Sequence, residues 1–115
     1  MQRSLFIIQS DPRTSHRPAE AIRIAAGVGT WKKTTISIYL SGPAVLAMGE
    51  YVDELVDEDN YTRYFPIVKD FGRPIYVEKG NPFLKELGDS PFEYQEVDNQ
   101  ELASLCMEQN SVLNF

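Results

Sequence analysis

Five short apolar segments, each bounded by polar or turn residues, recur along the chain. The first, residues 4–9, is a nearly continuous apolar run, which is typical of a strand buried on both faces of a parallel sheet. Residues 34–40 are rich in β-branched and aromatic side chains and predict a second strand. The same pattern predicts further strands over residues 74–78, 93–97 and 111–115.

Helical patterns separate these strands. In residues 17–29, small or apolar side chains recur at helical spacing on one face. Asp98 and Glu101 form a capping-box pattern before the last helix, whose apolar stripe is Leu102, Leu105 and Cys106. We also predict helices over residues 44–57, from Pro66 to Gly72, and over residues 83–87, with a loop over residues 57–60.

The alternation of strands and helices predicts an α/β fold, a three-layer α/β/α sandwich around a mostly parallel sheet of about five strands. Residues 4–40 form a strand–helix–strand unit, for which a right-handed crossover is expected. The chain has 115 residues, with no internal repeat and no linker segment. We therefore expect a single domain over residues 1–115.

Charge and apolar run length exclude two classes of partner. The net charge is −6, with 17 acidic against 11 basic residues, whereas nucleic-acid binders usually present a basic face. Apolar runs stay far below the ~20 residues of a membrane helix, and no signal-peptide core follows the N-terminus. The single cysteine allows no intramolecular disulfide. We expect a cytoplasmic protein that binds neither nucleic acid nor membrane.

Four residues are candidates for ligand binding because they follow predicted strands. His16 lies after the first strand, Gly42 after the second, and Glu78 and Asn81 at the end of the third. Ligand sites of parallel sheets gather at this carboxyl edge. Glu78 is a candidate general base if burial raises its pKa. A solvated loop or turn is the alternative interpretation for each of them.

Cys106 is the sole thiol and therefore the one candidate sulfur nucleophile. It falls on the apolar stripe of the last helix, which favours a small buried side chain over a reactive one. One histidine and one cysteine, far apart in the sequence, form no metal-ligand pattern. We therefore predict no metal site and no cofactor.

Aromatic side chains concentrate around Pro66, at Tyr61, Tyr64, Phe65 and Phe71. They indicate either core packing or contact between copies of the chain. A small three-layer domain has little surface to spare, so an aromatic patch beyond the needs of the core favours self-association. We therefore expect a homo-oligomer.

The order of these segments resembles the DsrE/DsrF/DsrH (TusBCD-like) family of small sulfur-relay proteins. The resemblance lies in residues 5–8, 19–25, 38–45, 72–77 and 111–115 and so extends along nearly the whole chain. It implies a Rossmann-like parallel sheet and assembly into oligomers, either of one chain or with a sulfur-relay partner subunit.

The resemblance also implies where a catalytic residue would lie. Active members of the family carry a persulfide-forming cysteine just after the strand that corresponds to residues 75–77. Here Glu78, Lys79 and Gly80 follow instead. The chain therefore resembles a scaffold or partner-binding subunit without independent catalysis. The alternatives are a sulfurtransferase that uses Cys106 and a small-molecule binding module.

Overall fold

The strands and helices of the computed structural model, which describes residues 2–31, 34–88 and 92–115, alternate along the chain. The strands are β1 (Arg3–Ile8), β2 (Thr35–Leu40), β3 (Ile75–Glu78), β4 (Tyr94–Val97) and β5 (Ser111–Asn114). The α-helices are α1 (Arg17–Trp31), α2 (Glu58–Lys69) and α3 (Asn99–Met107). Three 3₁₀ helices span Gly42–Met48, Val52–Glu54 and Pro82–Glu86.

The five strands form one sheet in the order β4-β3-β2-β1-β5, and every neighbouring pair is parallel. This confirms the predicted α/β/α fold with a Rossmann-like sheet. The central strands are apolar on both faces because helices cover both. Leu5 and Phe6 of β1 point to opposite faces and are each at most 1% exposed.

The two faces of the sheet carry cores of different size. On one face, Phe6, Ile38 and Val77 join a large cluster with α1, α2 and the 3₁₀ helices. On the other, Leu5, Tyr39 and Val97 form a small cluster. The helix that packs there in the described part of the chain is α3, with half-buried Leu102, Leu105 and Cys106. The predicted stripe of α3 and its capping box at Asp98 and Glu101 are both present.

The helix predicted over residues 44–57 is wrong. The segment forms two 3₁₀ helices, Gly42–Met48 and Val52–Glu54, separated at Gly49. A Cβ at Gly49 would lie 3.0 Å from the carbonyl oxygen of Leu87, and the Glu50 amide donates to that same oxygen at 2.9 Å. This contact with Leu87 holds the backbone in a path that a continuous helix would not follow.

The start predicted for the next helix is also wrong. Helix α2 begins at Glu58, in the expected loop, and contains Pro66 rather than starting there. A proline inside a helix removes one backbone hydrogen bond. The helix continues because Tyr61, Phe65 and Val68 are all buried on one face, each at most 5% exposed. Tertiary packing therefore outweighs the local cost of the proline.

Two glycines of α1 provide a matched test of helix packing. A Cβ at Gly27 would meet no atom within 4 Å, whereas one at Gly29 would lie 2.5 Å from the ring of Phe71. We expect Gly27→Ala to raise the free energy of unfolding by about 0.5–1 kcal/mol. Gly29→Ala should lower it by about 1–3 kcal/mol, because the ring must move. Urea denaturation measures both; equal effects would contradict the packing of Phe71 against α1.

Candidate functional site

The ends of β2 and β3 bring together three of the four residues predicted to bind a ligand. The Gly42 amide donates to Oε1 of Glu78 at 3.2 Å. Nδ2 of Asn81 donates to the same Oε1 at 3.1 Å and to the Gly42 carbonyl at 3.0 Å. The loops that follow these two adjacent parallel strands are thus joined through the carboxylate of Glu78 and the side-chain amide of Asn81. We call these residues the Gly42–Glu78–Asn81 cluster.

Local backbone geometry positions each member of this cluster. Gly42 has a φ of 55°, a left-handed conformation that favours glycine. Asn81 caps the 3₁₀ helix Pro82–Glu86, since its Oδ1 accepts from the Phe83 amide at 2.8 Å. Gly80 has a φ of 74° and donates its amide to Oε1 of Glu96 at 3.0 Å. The turn after β3 is therefore tied to β2, β4 and the following helix.

Burial makes the amide of Asn81 important to this arrangement. Asn81 is 4% exposed, and its side chain serves as both donor and acceptor. Glu78 is half-buried and receives both its hydrogen bonds at Oε1. Its Oε2 accepts none from the described residues. The cluster therefore presents a fixed carboxylate with one oxygen occupied and the other available as an acceptor.

Tyr39 lies on the same face of the sheet as Glu78. It pairs in register with Tyr76, two residues before Glu78, and alternate residues of a strand share a face. Burial, and after it the negative charge of Glu78, raises the pKa of Tyr39. Tyr39 is therefore held as a neutral phenol near the carboxylate. Tyr39 was not among the residues predicted to form the site, although the two-residue period of the strands places it on the face of Glu78.

His16 lies apart from the cluster. It is exposed in the loop after β1, and its carbonyl accepts from the Glu20 amide at 3.0 Å in the first turn of α1. The next residue, Arg17, reaches the Asn114 carbonyl of β5 at 3.4 Å. Because β5 and β2 flank β1 on opposite sides, this contact of Arg17 lies on the side of β1 away from β2. No hydrogen bond joins His16 to the cluster among the described residues.

Cys106 lies on the face of the sheet that α3 covers. It is half-buried and packs with the cluster of Leu5, Tyr39 and Val97. It occupies the last turn of α3, where its carbonyl accepts from the Gln109 amide at 3.2 Å. Within the described ranges, no group of three or more His, Cys, Asp or Glu side chains is placed to hold a metal ion.

Along its whole length the chain superposes on all of the crystal structure of the YchN protein from E. coli, with a TM-score of 0.79 and 18% sequence identity. The chain therefore shares its fold with YchN. No protein-family model matches the sequence, and no curated protein sequence matches it significantly.

The similarity to YchN is one of fold, and it agrees with the Rossmann-like parallel sheet that the family resemblance implied. Over residues 2–31, 34–88 and 92–115, no helix is both long enough and apolar enough to span a membrane.

Substitution of Asn81 tests whether the cluster holds the loops together. Asn81→Ala removes three hydrogen bonds and leaves the Gly42 carbonyl and the Phe83 amide without these partners. We expect the free energy of unfolding to fall by about 2–3 kcal/mol. Lys79→Ala is the control because Lys79 is exposed in the same turn, and its effect should stay within about 0.5 kcal/mol. Urea unfolding curves that show equal stability for the two variants would contradict this role of Asn81.

Proposed function

We propose that this chain is a DsrE-like subunit of the sulfur-relay type that does not carry sulfur itself and instead acts as an oligomeric scaffold or partner-binding subunit. The observation that carries the proposal is that residue 78, at the end of β3, is a glutamate rather than a cysteine. The family resemblance expects a persulfide-forming thiol just after this strand, and a carboxylate cannot form a persulfide. A cytoplasmic location is part of the same proposal.

The surroundings of Glu78 support a structural role for its carboxylate. Both the Gly42 amide and the Asn81 amide donate to Oε1, and hydrogen bonds to a charged group are stronger than those between neutral groups. Glu78 therefore joins the loops after β2 and β3. In this role Glu78 stabilises the carboxyl edge of the sheet, close to the position where the family resemblance expects a catalytic thiol.

The environment of Cys106 argues against the alternative of a sulfurtransferase that uses this thiol. Reactive cysteines sit beside cations or at helix N-termini, and they are exposed. Cys106 instead lies in the last turn of α3, half-buried against Leu102 and Leu105 in the smaller core. Its thiol forms no hydrogen bond or ion pair with any described residue. These features fit a packing residue.

Exposed apolar side chains support the scaffold role. Trp31 at the end of α1 is 85% exposed, and Met107 at the end of α3 is 86% exposed. Val112 of the edge strand β5 is 39% exposed. By contrast, Tyr61 and Phe65, which the sequence also offered as oligomer contacts, are buried in the monomer core. Association of copies would bury apolar surface that now faces water.

Sulfur loading tests the catalytic half of the proposal. The native protein is treated with glutathione persulfide, which can transfer its outer sulfur to a thiol and leave as glutathione. Intact mass spectrometry should show no added sulfur on the wild type, because Cys106 is packed against the sheet. Glu78→Cys is the matched variant and should gain one sulfur atom, since it restores a thiol at the end of β3.

Two controls complete this experiment. Cys106→Ala in the Glu78→Cys background should gain the same single sulfur. Wild-type protein unfolded in urea should become modifiable at Cys106. Gain of sulfur by the native wild type, lost in Cys106→Ala, would overturn the proposal in favour of a sulfurtransferase.

Light scattering tests the scaffold half. We expect a solution mass at micromolar concentration that is a multiple of the 13.1 kDa chain. Trp31→Gln and Met107→Gln should shift the mass towards that of one chain if these side chains are buried between copies. A wild-type protein that is monomeric at this concentration would contradict the homo-oligomer.

A further inference from the structure

A cavity of about 360 Å³ opens among segments that follow three neighbouring strands. Arg13 comes from the loop after β1, Leu46 from the 3₁₀ helix after β2, and Glu86 from the 3₁₀ helix after β3. The cavity therefore lies on the carboxyl side of the sheet, where open α/β folds bind ligands. Its volume is near the lower end of the ~300–1,000 Å³ range of small-molecule sites. The size suits a small metabolite.

The charged groups around this cavity are of both signs. Arg13 contributes a guanidinium, while Glu54 and Glu86 contribute carboxylates. Neither carboxylate forms an ion pair or a side-chain hydrogen bond with any described residue. A purely anionic ligand would be repelled by the two carboxylates. Arg13 is already paired with Asp11, so a purely cationic ligand would leave the remaining N–H donors of the guanidinium without a partner. The lining therefore favours a ligand that carries both charges.

The position of Arg13 is set by two contacts. Its Nε and Nη2 donate to the two carboxylate oxygens of Asp11, each at 3.0 Å. Its guanidinium carbon lies 5.5 Å from the centre of the Phe83 ring. A guanidinium has five N–H donors, so this fork leaves others unused. The side chain is 48% exposed and is therefore accessible to a ligand.

Arg13 and Glu86 both line the cavity, but they do not form an ion pair. The hydrogen bond and charge of Asp11 raise the pKa of Arg13, and the charge of Glu86 adds a smaller contribution. The two side chains are therefore near enough to interact. Yet the ion pairs found among the described residues, at N–O distances within 4.0 Å, are Arg13–Asp11 and Arg23–Glu20. Arg13 and Glu86 therefore line the same cavity with opposite charges that do not form an ion pair.

We propose that this cavity binds a small zwitterion of the α-amino-acid class, whose carboxylate pairs with Arg13 and whose ammonium pairs with Glu86 and Glu54. The ligand bridges charges that the protein leaves apart. Leu46, Leu55 and Tyr51 form the apolar and aromatic part of the lining and accommodate the side chain of the amino acid. An aliphatic or aromatic amino acid therefore fits better than an acidic or basic one.

The proposal goes beyond the scaffold function and does not rest on it. No lining residue of the cavity belongs to the Gly42–Glu78–Asn81 cluster, and no thiol takes part. Sulfur loading and light scattering can therefore contradict the scaffold function while amino-acid binding is still observed. Equally, the absence of amino-acid binding would leave the scaffold function untouched.

Binding is tested by titration of the ¹⁵N-labelled 115-residue chain with leucine, followed by amide chemical shifts. Two analogues remove one charge each: N-acetylleucine lacks the ammonium, and leucinamide lacks the carboxylate. We expect leucine to shift the amides around Arg13, Glu54 and Glu86. Each analogue should bind about tenfold more weakly, the effect of one lost charge-assisted hydrogen bond.

Variants then assign each charge of the ligand to its partner. In Arg13→Gln, the preference for leucine over leucinamide should disappear, while the preference over N-acetylleucine remains. In Glu86→Gln, the preference for leucine over N-acetylleucine should disappear, while the preference over leucinamide remains. Lys85→Gln is the control, because Lys85 lies on the same 3₁₀ helix and does not line the cavity. Arg13→Lys retains the charge and should retain part of the preference.

Three outcomes would overturn the proposal. One is the absence of any shift at millimolar leucine in wild-type protein. Another is equal binding of leucine and both analogues, which would make the charges irrelevant. The third is stronger binding of leucinamide than of leucine, which would indicate a site for cations. The first comparison uses wild-type protein alone, so that poor folding of a variant cannot obscure the result.

Discussion

Burial of β1 and β2 on both faces is the constraint on which the other elements depend. Leu5 and Tyr39 face one way, Phe6 and Ile38 the other, and all four are at most 4% exposed. A parallel sheet with two apolar faces must be covered on both sides, and each parallel connection must cross over a face. Helices α1 and α2 meet this demand on one side, and α3 does so on the other. The carboxyl ends of the strands then meet at one edge, where the loops form the sites.

The helices bury the two faces of the sheet to different extents. The larger core places α1 close to the sheet, since Ala21, Ala25 and Ala26 are small and at most 3% exposed. The smaller core relies on α3, none of whose residues is fully buried. Buried polar atoms without partners in the described chain also occur here, such as Oγ of Ser37. This face is the less completely packed side of the monomer, which agrees with a chain that associates with others.

The 3₁₀ helix Pro82–Glu86 connects the two candidate sites mechanically. Asn81 caps its first turn and binds Gly42 and Glu78. The Phe83 amide donates a hydrogen bond to Oδ1 of Asn81, and the Phe83 ring lies beneath the guanidinium of Arg13. Glu86, at the other end, lines the cavity. The bonding that fixes the Glu78 carboxylate therefore also fixes one wall of the proposed amino-acid site, although the sites share no ligand-contacting residue.

By itself, the sequence determined the five strands, helices α1 and α3, the parallel sheet and the cap at Asp98, because each depends on local pattern or short-range hydrogen bonds. It also predicted that Gly42, Glu78 and Asn81 share an edge, since residues that follow neighbouring parallel strands must converge there. Tertiary structure decided the rest. Packing of Tyr61 and Phe65 carried α2 through Pro66, and contact with Leu87 divided the segment after β2. The fold left His16 exposed and without a hydrogen bond to the Gly42–Glu78–Asn81 cluster among the described residues, and it brought Arg13 and Glu86 to one cavity. These outcomes depend on contacts between residues distant in the chain, which local patterns do not encode.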